Sequence, residues 1–487
     1  MSVRTPLFQK GAYSGLILLL FFYQIYNLNS FSFGMDEVNS YVNSLTPELL
    51  FEGLRQSGGN RVLFYLVLNR WLLLGDQIFW QRVLSSVTIM AAFPFVYMIG
   101  RLISSHQTGM LALVLLGFNR FFLSFTRFSR NYSLAILISA AGFWILISAL
   151  KQSAPWKWIL YSILSGLLVM THPIGVFVLA SQAALVFFYP RPIPWRNLIG
   201  SGIFSIVVYF LLTFFFQAAS TTQLEWIQLP DLEHLFVTIT ILMGGSVLLL
   251  LVYIICYLVG LVLLLPNYFS RFDASREWPF LMIVSWMVIP FILMGITTYI
   301  YQPILEPRYL YLSLPAIALV TARVMVSLPV QWLKMSLLTV LLSLTFLGST
   351  SSILNPSQEK WEEATAWVLT HGDGNDAVIF FDYHGQRVFR FYQDLLAIGN
   401  DTPQIVEIAA SPYFPGGGSR PRMYDRDKVA QFSETHPHVW LILFNRGFHG
   451  EHSLRVLNQL ESDLDVSYIE IESRDYSGIK VVQYRVK

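Results

Sequence analysis

Over the first 350 positions of this chain, apolar residues come in long runs rather than in alternation with polar ones. The runs fall at 13–30, 82–103, 108–125, 132–150, 157–171, 173–189, 197–217, 234–265, 279–300, 308–328 and 332–349. Each is close to the ~20 residues that a helix needs to cross a bilayer core. No water reaches the backbone there, so helices that satisfy their own hydrogen bonds are the natural spanning form. The pattern predicts an α-helical integral membrane protein of about eleven transmembrane helices. Run 157–171 is short for a span, and run 234–265 is long enough to tilt or to begin as an interfacial helix. The first run follows Arg4 and Lys10 without a small-residue cleavage site, which reads as a retained anchor.

Beyond position 350 the pattern changes. AVIFFD (377–382), VWLILF (439–444), VSYIEIE (466–472) and IKVVQYRV (479–486) read as strands, and WEEATAWVL (361–369) and HSLRVLNQLES (452–462) as helices. Two domains follow: a transmembrane domain over 1–350, with a long first outer loop at 31–81, and a soluble α/β domain over 351–487. A domain of that size can bury its own core.

Composition sharpens this division. Of 487 residues, 54% are apolar and only 13% charged, against about 25% charged in a typical soluble protein. That excludes disorder and a simple soluble enzyme for most of the length. The first 350 residues carry 19 Lys+Arg and 11 Asp+Glu; the remainder carry 13 and 19. The overall charge of +2 gives no reason to expect a nucleic-acid partner. The lone Cys256 excludes an intrachain disulfide and a Cys-based zinc site.

Basic residues set the orientation. With the N-terminus cytoplasmic, the inner loops hold Arg101, Lys151, Lys157, Arg191, Arg196, Arg271, Arg276, Arg323 and Lys334. The short outer loops hold only Arg120, Arg127, Arg130 and Arg308. An odd number of spans then places residues 351–487 outside the cell membrane.

The outer loops gather the unusual polar residues: FGMDEVNSY (33–41), FTRFSRNYSL (125–134), MTHPIG (170–175), TTQLEWIQLPDLE (221–233) and YQPILEPRYL (301–310). The first loop also contains an amphipathic stretch at 62–74 that suits an interfacial helix. Ionisable groups near a membrane are costly, so their gathering on one face points to a site. Asp36 of the acidic pair Asp36-Glu37 has the chemistry to take a proton from an attacking hydroxyl or amine; the pair equally suits a solvated cap on the next helix. Arg127 and Arg130, with Tyr132, offer two guanidinium forks to a phosphate, or to lipid headgroups. His172 precedes Pro173 in a tight turn, where a histidine is ordinarily a turn residue. Arg308, beside Tyr309, completes a phosphate clamp, or pairs with Glu306 or the membrane interface. GGG at 416–418 reads as a loop, and Asp382-Tyr383-His384 as a turn. Signatures of nucleotide hydrolases, serine hydrolases and zincins are absent from the sequence.

At these motifs the sequence resembles the GT-C membrane glycosyltransferases, in particular the family 39 branch that includes protein O-mannosyltransferases and the lipid A aminoarabinose transferase. The resemblance rests on FGMDEVNSY, on VLFYLVLNRWLLLGDQIFWQRVLSSV (62–87), on RFSRNYSL (127–134), and on the His of MTHPIG with the Arg-Tyr of PRYLYLSLP. It implies sugar transfer from a polyprenyl-phosphate donor to a lipid, glycan or protein acceptor at the outer face, with inversion at the anomeric carbon. By the same resemblance Asp36 is the general base and Glu37 positions it or the acceptor. Arg127, Arg130 and Arg308 hold the donor phosphate, and Tyr132, His172 and Tyr309 line the cavity. Many relatives carry His-Pro where this chain has Asn60-Arg61, and some carry a further acid in the outer turn where it has only Arg, Ser and Asn. Neither a metal nor a cofactor is therefore expected. The rival reading is a transporter or flippase for a lipid-linked or small polar molecule. Such proteins place polar groups near the bilayer midplane, often in paired halves, and this sequence has neither feature. A non-catalytic subunit that presents its tail to a partner is the third.

Overall fold

Where the apolar runs are interrupted, local capping chemistry decides where each helix ends. The computed structural model describes residues 7–56, 61–75, 78–186, 189–215, 227, 229–270, 273–355, 359–381, 384–396, 401–408, 424–444 and 451–487. Most of the loop at 221–233, Asn60, Asp382-Tyr383 and the GGG at 416–418 lie outside them.

The chain forms two compact units. By described residues, the first comprises 7–28, 43–215 and 227–355; the second comprises 29–42 and the chain from 359 onward. Segment 29–42, expected within the first outer loop of the transmembrane domain, is grouped instead with the C-terminal domain.

The first unit begins with α1 (Leu7–Ile25) and resumes with α3 (Pro47–Gln56), α4 (Val62–Trp71), α5 (Ile78–Ile103), α6 (His106–Gly117), α7 (Arg120–Thr126), α8 (Tyr132–Lys151), α9 (Pro155–Thr171) and α10 (Gly175–Val186). Then follow α11 (Trp195–Phe215), α12 (Leu232–Leu242), α13 (Val247–Ser270), α14 (Ala274–Ile300), a 3-10 turn (Pro307–Ser313), α15 (Leu314–Ser327) and α16 (Gln331–Leu354). Among the described residues, each of the predicted apolar runs is mostly helical. Among the described residues, six helices are long and apolar enough to cross a membrane, or seven if α6 and α7, bent by 71°, count as one span. Exposed apolar side chains such as Phe214, Leu258, Leu261 and Val262 give the surface that a bilayer solvates. The chain is a multi-pass membrane protein.

Run 234–265 divides at Gly244-Gly245, both at positive φ (109° and 81°), which only glycine adopts without strain. Run 108–125 divides at Asn119, whose Oδ1 accepts from Phe122 N at 2.9 Å and caps α7. Its Nδ2 donates to Leu242 O, at the end of α12, at 3.1 Å. Next to the turn that joins them, α5 meets α6 through glycine: a Cβ on Gly100 would come within 2.5 Å of Gly109 Cα. Small residues of this kind let membrane helices approach closely.

The second unit contains α2 (Met35–Val42), α17 (Trp361–His371), α18 (His384–Leu396), α19 (Arg426–Ala430), α20 (Phe432–Thr435) and α21 (Glu451–Ser467). Its five-stranded sheet has the order β2 (Gln404–Ile405), β1 (Ala377–Phe380), β3 (His438–Phe444), β5 (Ile479–Val486) and β4 (Tyr468–Asp475). β1 is parallel to β2 and β3, and the β3–β5–β4 pairs are antiparallel. The C-terminal sheet expected from the sequence is thus present, and its four longer strands fall on the runs read as strands.

Candidate active site

The sequence RFSRNYSL becomes a five-residue connection, 127–131, between α7 and α8. Its polar atoms are tied to both neighbouring helices. Ser85 Oγ on α5 donates to Phe128 O at 2.8 Å, and Asn131 Nδ2 donates to Thr171 O, the last residue of α9, at 2.7 Å. These bonds hold Arg130 and Tyr132, both buried, beside the end of α9.

His172 follows directly as the C-cap of α9, in extended backbone. Its Nδ1 accepts from Ile174 N at 3.2 Å, so the ring is fixed with its proton on Nε2. Burial first, then the charges of Arg61, Arg130 and Arg308, push its pKa down to about 3. A neutral histidine thus sits among three guanidinium groups. Tyr132 and Tyr309 flank its ring at centroid distances of 5.8 and 5.7 Å. Tyr311 packs against Tyr132 at 5.8 Å, and the Arg308 guanidinium lies 5.7 Å from the Tyr309 ring centre. Five of the residues proposed from sequence therefore meet in one place: Arg130, Tyr132, His172, Arg308 and Tyr309.

Two further residues join them that the sequence reading did not assign to a site. Arg61 begins α4 in the left-handed region, φ 69° and ψ 21°, a conformation rare for a residue with a long side chain. Tyr65, one turn into α4 and 2% exposed, is hydrogen-bonded to Arg61 and Asn43. Burial pushes the pKa of its phenol up, but the charges of Arg61 and Arg130 and these hydrogen bonds outweigh burial, and the net shift is downward. The available signal was a basic residue placed just before a predicted interfacial helix. Beside Arg130 lies a small hollow of about 10 Å³ between α4, α5 and α8. Phe64, Val67, Leu84 and Leu134 make its apolar walls, with Ser85, Thr88 and Ser133 as its hydroxyls.

Arg127 takes a different place. Its Nη2 donates to Tyr26 O and Asn27 O at 2.7 and 2.8 Å. Arg82, fully buried on α5, donates to Leu28 O at 2.7 Å. The two guanidiniums meet carbonyls where α1 ends, with the sign that a helix C-terminus favours. Burial and the charge of Arg82 lower the Arg127 pKa to about 10, so it remains a cation.

Asp36 and Glu37 belong to the second unit and form the first turn of α2. Glu37 is fully buried and Asp36 half-buried. Ser40 Oγ donates to Asp36 O at 2.9 Å, which closes the turn without using the carboxylate. Among the described residues, no group of three or more His, Cys, Asp or Glu has the arrangement of a metal site.

No family model and no curated protein matches the chain. Solved structures do. The chain is similar to ArnT from Cupriavidus metallidurans bound to undecaprenyl phosphate, with TM-score 0.58, 11% identity and 98% of each chain covered. It matches the apo state of the same protein with TM-score 0.59, 11% identity and 97% of each chain. It is also similar to the oligosaccharyltransferase AglB from Archaeoglobus fulgidus in complex with an inhibitory peptide and a dolichol-phosphate. There the TM-score is 0.55 at 10% identity, over 98% of this chain and 74% of that one.

Proposed function

We propose, for a chain that shares the GT-C fold with ArnT and AglB, that it is a membrane glycosyltransferase moving a sugar from a polyprenyl-phosphate donor to an acceptor at the outer face of the membrane. The observation that carries the reading is the gathering of Arg61, Arg130 and Arg308 around a neutral, ring-packed His172. Guanidinium forks match phosphate geometry, and fixed cations stabilise charge that develops on a leaving phosphate. The neutral imidazole keeps an Nε2–H donor for an anion and adds no charge of its own. Solved neighbours with undecaprenyl phosphate or a dolichol-phosphate bound agree with this donor class.

In the proposed reaction the Asp36 carboxylate accepts the proton of the acceptor hydroxyl or amine. The freed lone pair attacks the anomeric carbon from the face opposite the phosphate. The bond from that carbon to the phosphate oxygen breaks, its electrons stay on the lipid phosphate, and configuration inverts. Glu37 positions Asp36 or the acceptor. Arg130, Arg308 and Arg61 hold the departing phosphate, while Tyr132, His172 and Tyr309 wall the sugar. Arg127 contributes at the phosphate or through the end of α1. No cofactor is required by this scheme.

Mass spectrometry of lipids retained through purification tests the donor. A sugar-bearing polyprenyl phosphate is expected, and the absence of any polyprenyl lipid from protein purified with its membrane lipids would count against it. Asp36→Asn is expected to abolish transfer while leaving the purified protein folded; full turnover would remove Asp36 from the mechanism.

A further inference from the structure

The second unit joins fourteen residues from the start of the chain, 29–42, to a domain formed by its end. Segment 29–42 is too short to bury a core of its own, so its conformation depends on what it packs against. Within the unit that partner is α18, helped by the start of α17. Arg387 Nη1 donates to Asn39 Oδ1 at 3.0 Å. The Phe391 ring stacks on Phe33 at 5.9 Å and meets Tyr41 edge-on at 5.6 Å. The hydroxyl of Tyr392, a fully buried residue, accepts from Phe33 N. Glu362 N, on α17, donates to Ser32 Oγ at 3.2 Å.

These contacts fix position and rotation separately. The bond to Phe33 N and the Phe33–Phe391 stack locate the chain just before α2. The Arg387–Asn39 bond acts three residues after Asp36, on the same side of the helix. Each residue of slippage turns an α-helix by about 100°, so a helix held at both ends of its first turn has one direction available for the Asp36 side chain.

We infer that α18 of the C-terminal domain is the positioning element for the acid of the proposed reaction, with Arg387 and Tyr392 as its positioning residues. This rests on the reading of Asp36 as general base, and it assigns the C-terminal domain a part in catalysis distinct from binding donor or acceptor. The donor phosphate ligands belong to the first unit, so loosening α2 affects proton abstraction and leaves donor affinity intact.

The test compares full-length wild type with Arg387→Ala, Arg387→Lys and Tyr392→Phe in nanodiscs. Amide hydrogen exchange, binding of undecaprenyl phosphate, and turnover on a panel of undecaprenyl-phosphoryl hexoses and pentoses are measured. In Arg387→Ala, residues 33–42 are expected to exchange about tenfold faster with β3 and β5 unchanged. Undecaprenyl phosphate affinity should stay within about twofold of wild type while kcat falls roughly tenfold or more, as misplacing a reacting group does. Arg387→Lys restores part of both losses. Tyr392→Phe, which removes one hydroxyl from a buried ring, shows the same pattern in a protein whose core is intact. Unchanged exchange at 33–42 in both Arg387→Ala and Tyr392→Phe overturns the inference. So does unchanged kcat in these variants when Asp36→Asn has lost it. If Asp36→Asn itself keeps full turnover, the base assignment has failed, and the exchange data alone decide whether α18 holds the segment.

Discussion

A histidine surrounded by arginines stays neutral, and the consequence at His172 is measurable. Its pKa lies near 3 in the folded protein, lowered by burial first and then by Arg61, Arg130 and Arg308. The unfolded value is about 6.5. Between these values the unfolded chain binds a proton that the folded chain does not, so stability falls as pH falls below 6.5. Relative to His172→Gln, the wild type should lose about 2 kcal/mol between pH 6.5 and 5. Thermal melts of the two proteins across that window check it; parallel curves would mean that the ring is hydrated. Arg130 carries the second prediction at this scale. Arg130→Ala should weaken undecaprenyl phosphate binding by about tenfold or more, the worth of a hydrogen bond to a charged group. Five residues of the cluster around His172 were legible because they are polar side chains at the ends of apolar runs, where solvation alone gives them little reason to cluster. Arg61 and Tyr65 were not, because they sit at the edge of a run whose apolar character dominates the pattern. Arg127 and Arg130 look alike in the sequence. Only the path of the backbone sends one to the end of α1 and the other toward His172.

Helices in this protein end where a particular side chain or glycine ends them, and hydropathy does not register that. Run 234–265 reads as one segment because two glycines barely change its apolar average. Their positive φ values nonetheless separate α12 from α13. Asn119 is similarly inconspicuous, a polar residue beside Arg120 within a largely apolar run. It caps α7 and satisfies a carbonyl at the end of α12. Asn119→Ala should therefore cost about 1–2 kcal/mol, a lost cap together with a carbonyl left without its donor, read as a lower melting temperature in detergent. Gly100→Ala should cost at least as much, because the added Cβ would meet Gly109 backbone rather than a movable side chain. Gly200→Ala is the control: nothing lies within 4 Å of a Cβ there, and alanine favours the helix.

At the scale of the whole molecule, the charge density changes sharply near residue 350, and the short apolar runs beyond it were enough to place four strands. The capture of 29–42 by the C-terminal domain was not legible. It depends on pairings more than 300 residues apart, such as Phe33 with Tyr392 and Asn39 with Arg387, and local pattern carries no trace of them. The GT-C fold was legible from the order of four weak motifs, although identity to the solved neighbours is only about 11%. Orientation rests on the distribution of basic residues and is open to direct measurement. The one cysteine, Cys256, is fully buried, so the native chain is already a near-silent background for thiol labelling. Val466→Cys, at a position 72% exposed on α21 of the C-terminal domain, should react with a membrane-impermeant maleimide added to intact right-side-out vesicles. Arg196→Cys, exposed at the start of α11, should react only after the vesicles are opened. The reverse pattern would put the C-terminal domain in the cytoplasm, and with it the acidic segment 29–42 that belongs to the same compact unit. A polyprenyl-phosphate sugar would then have to be consumed on the cytoplasmic side, and the outer-face reaction would be lost even if every guanidinium contact were correct.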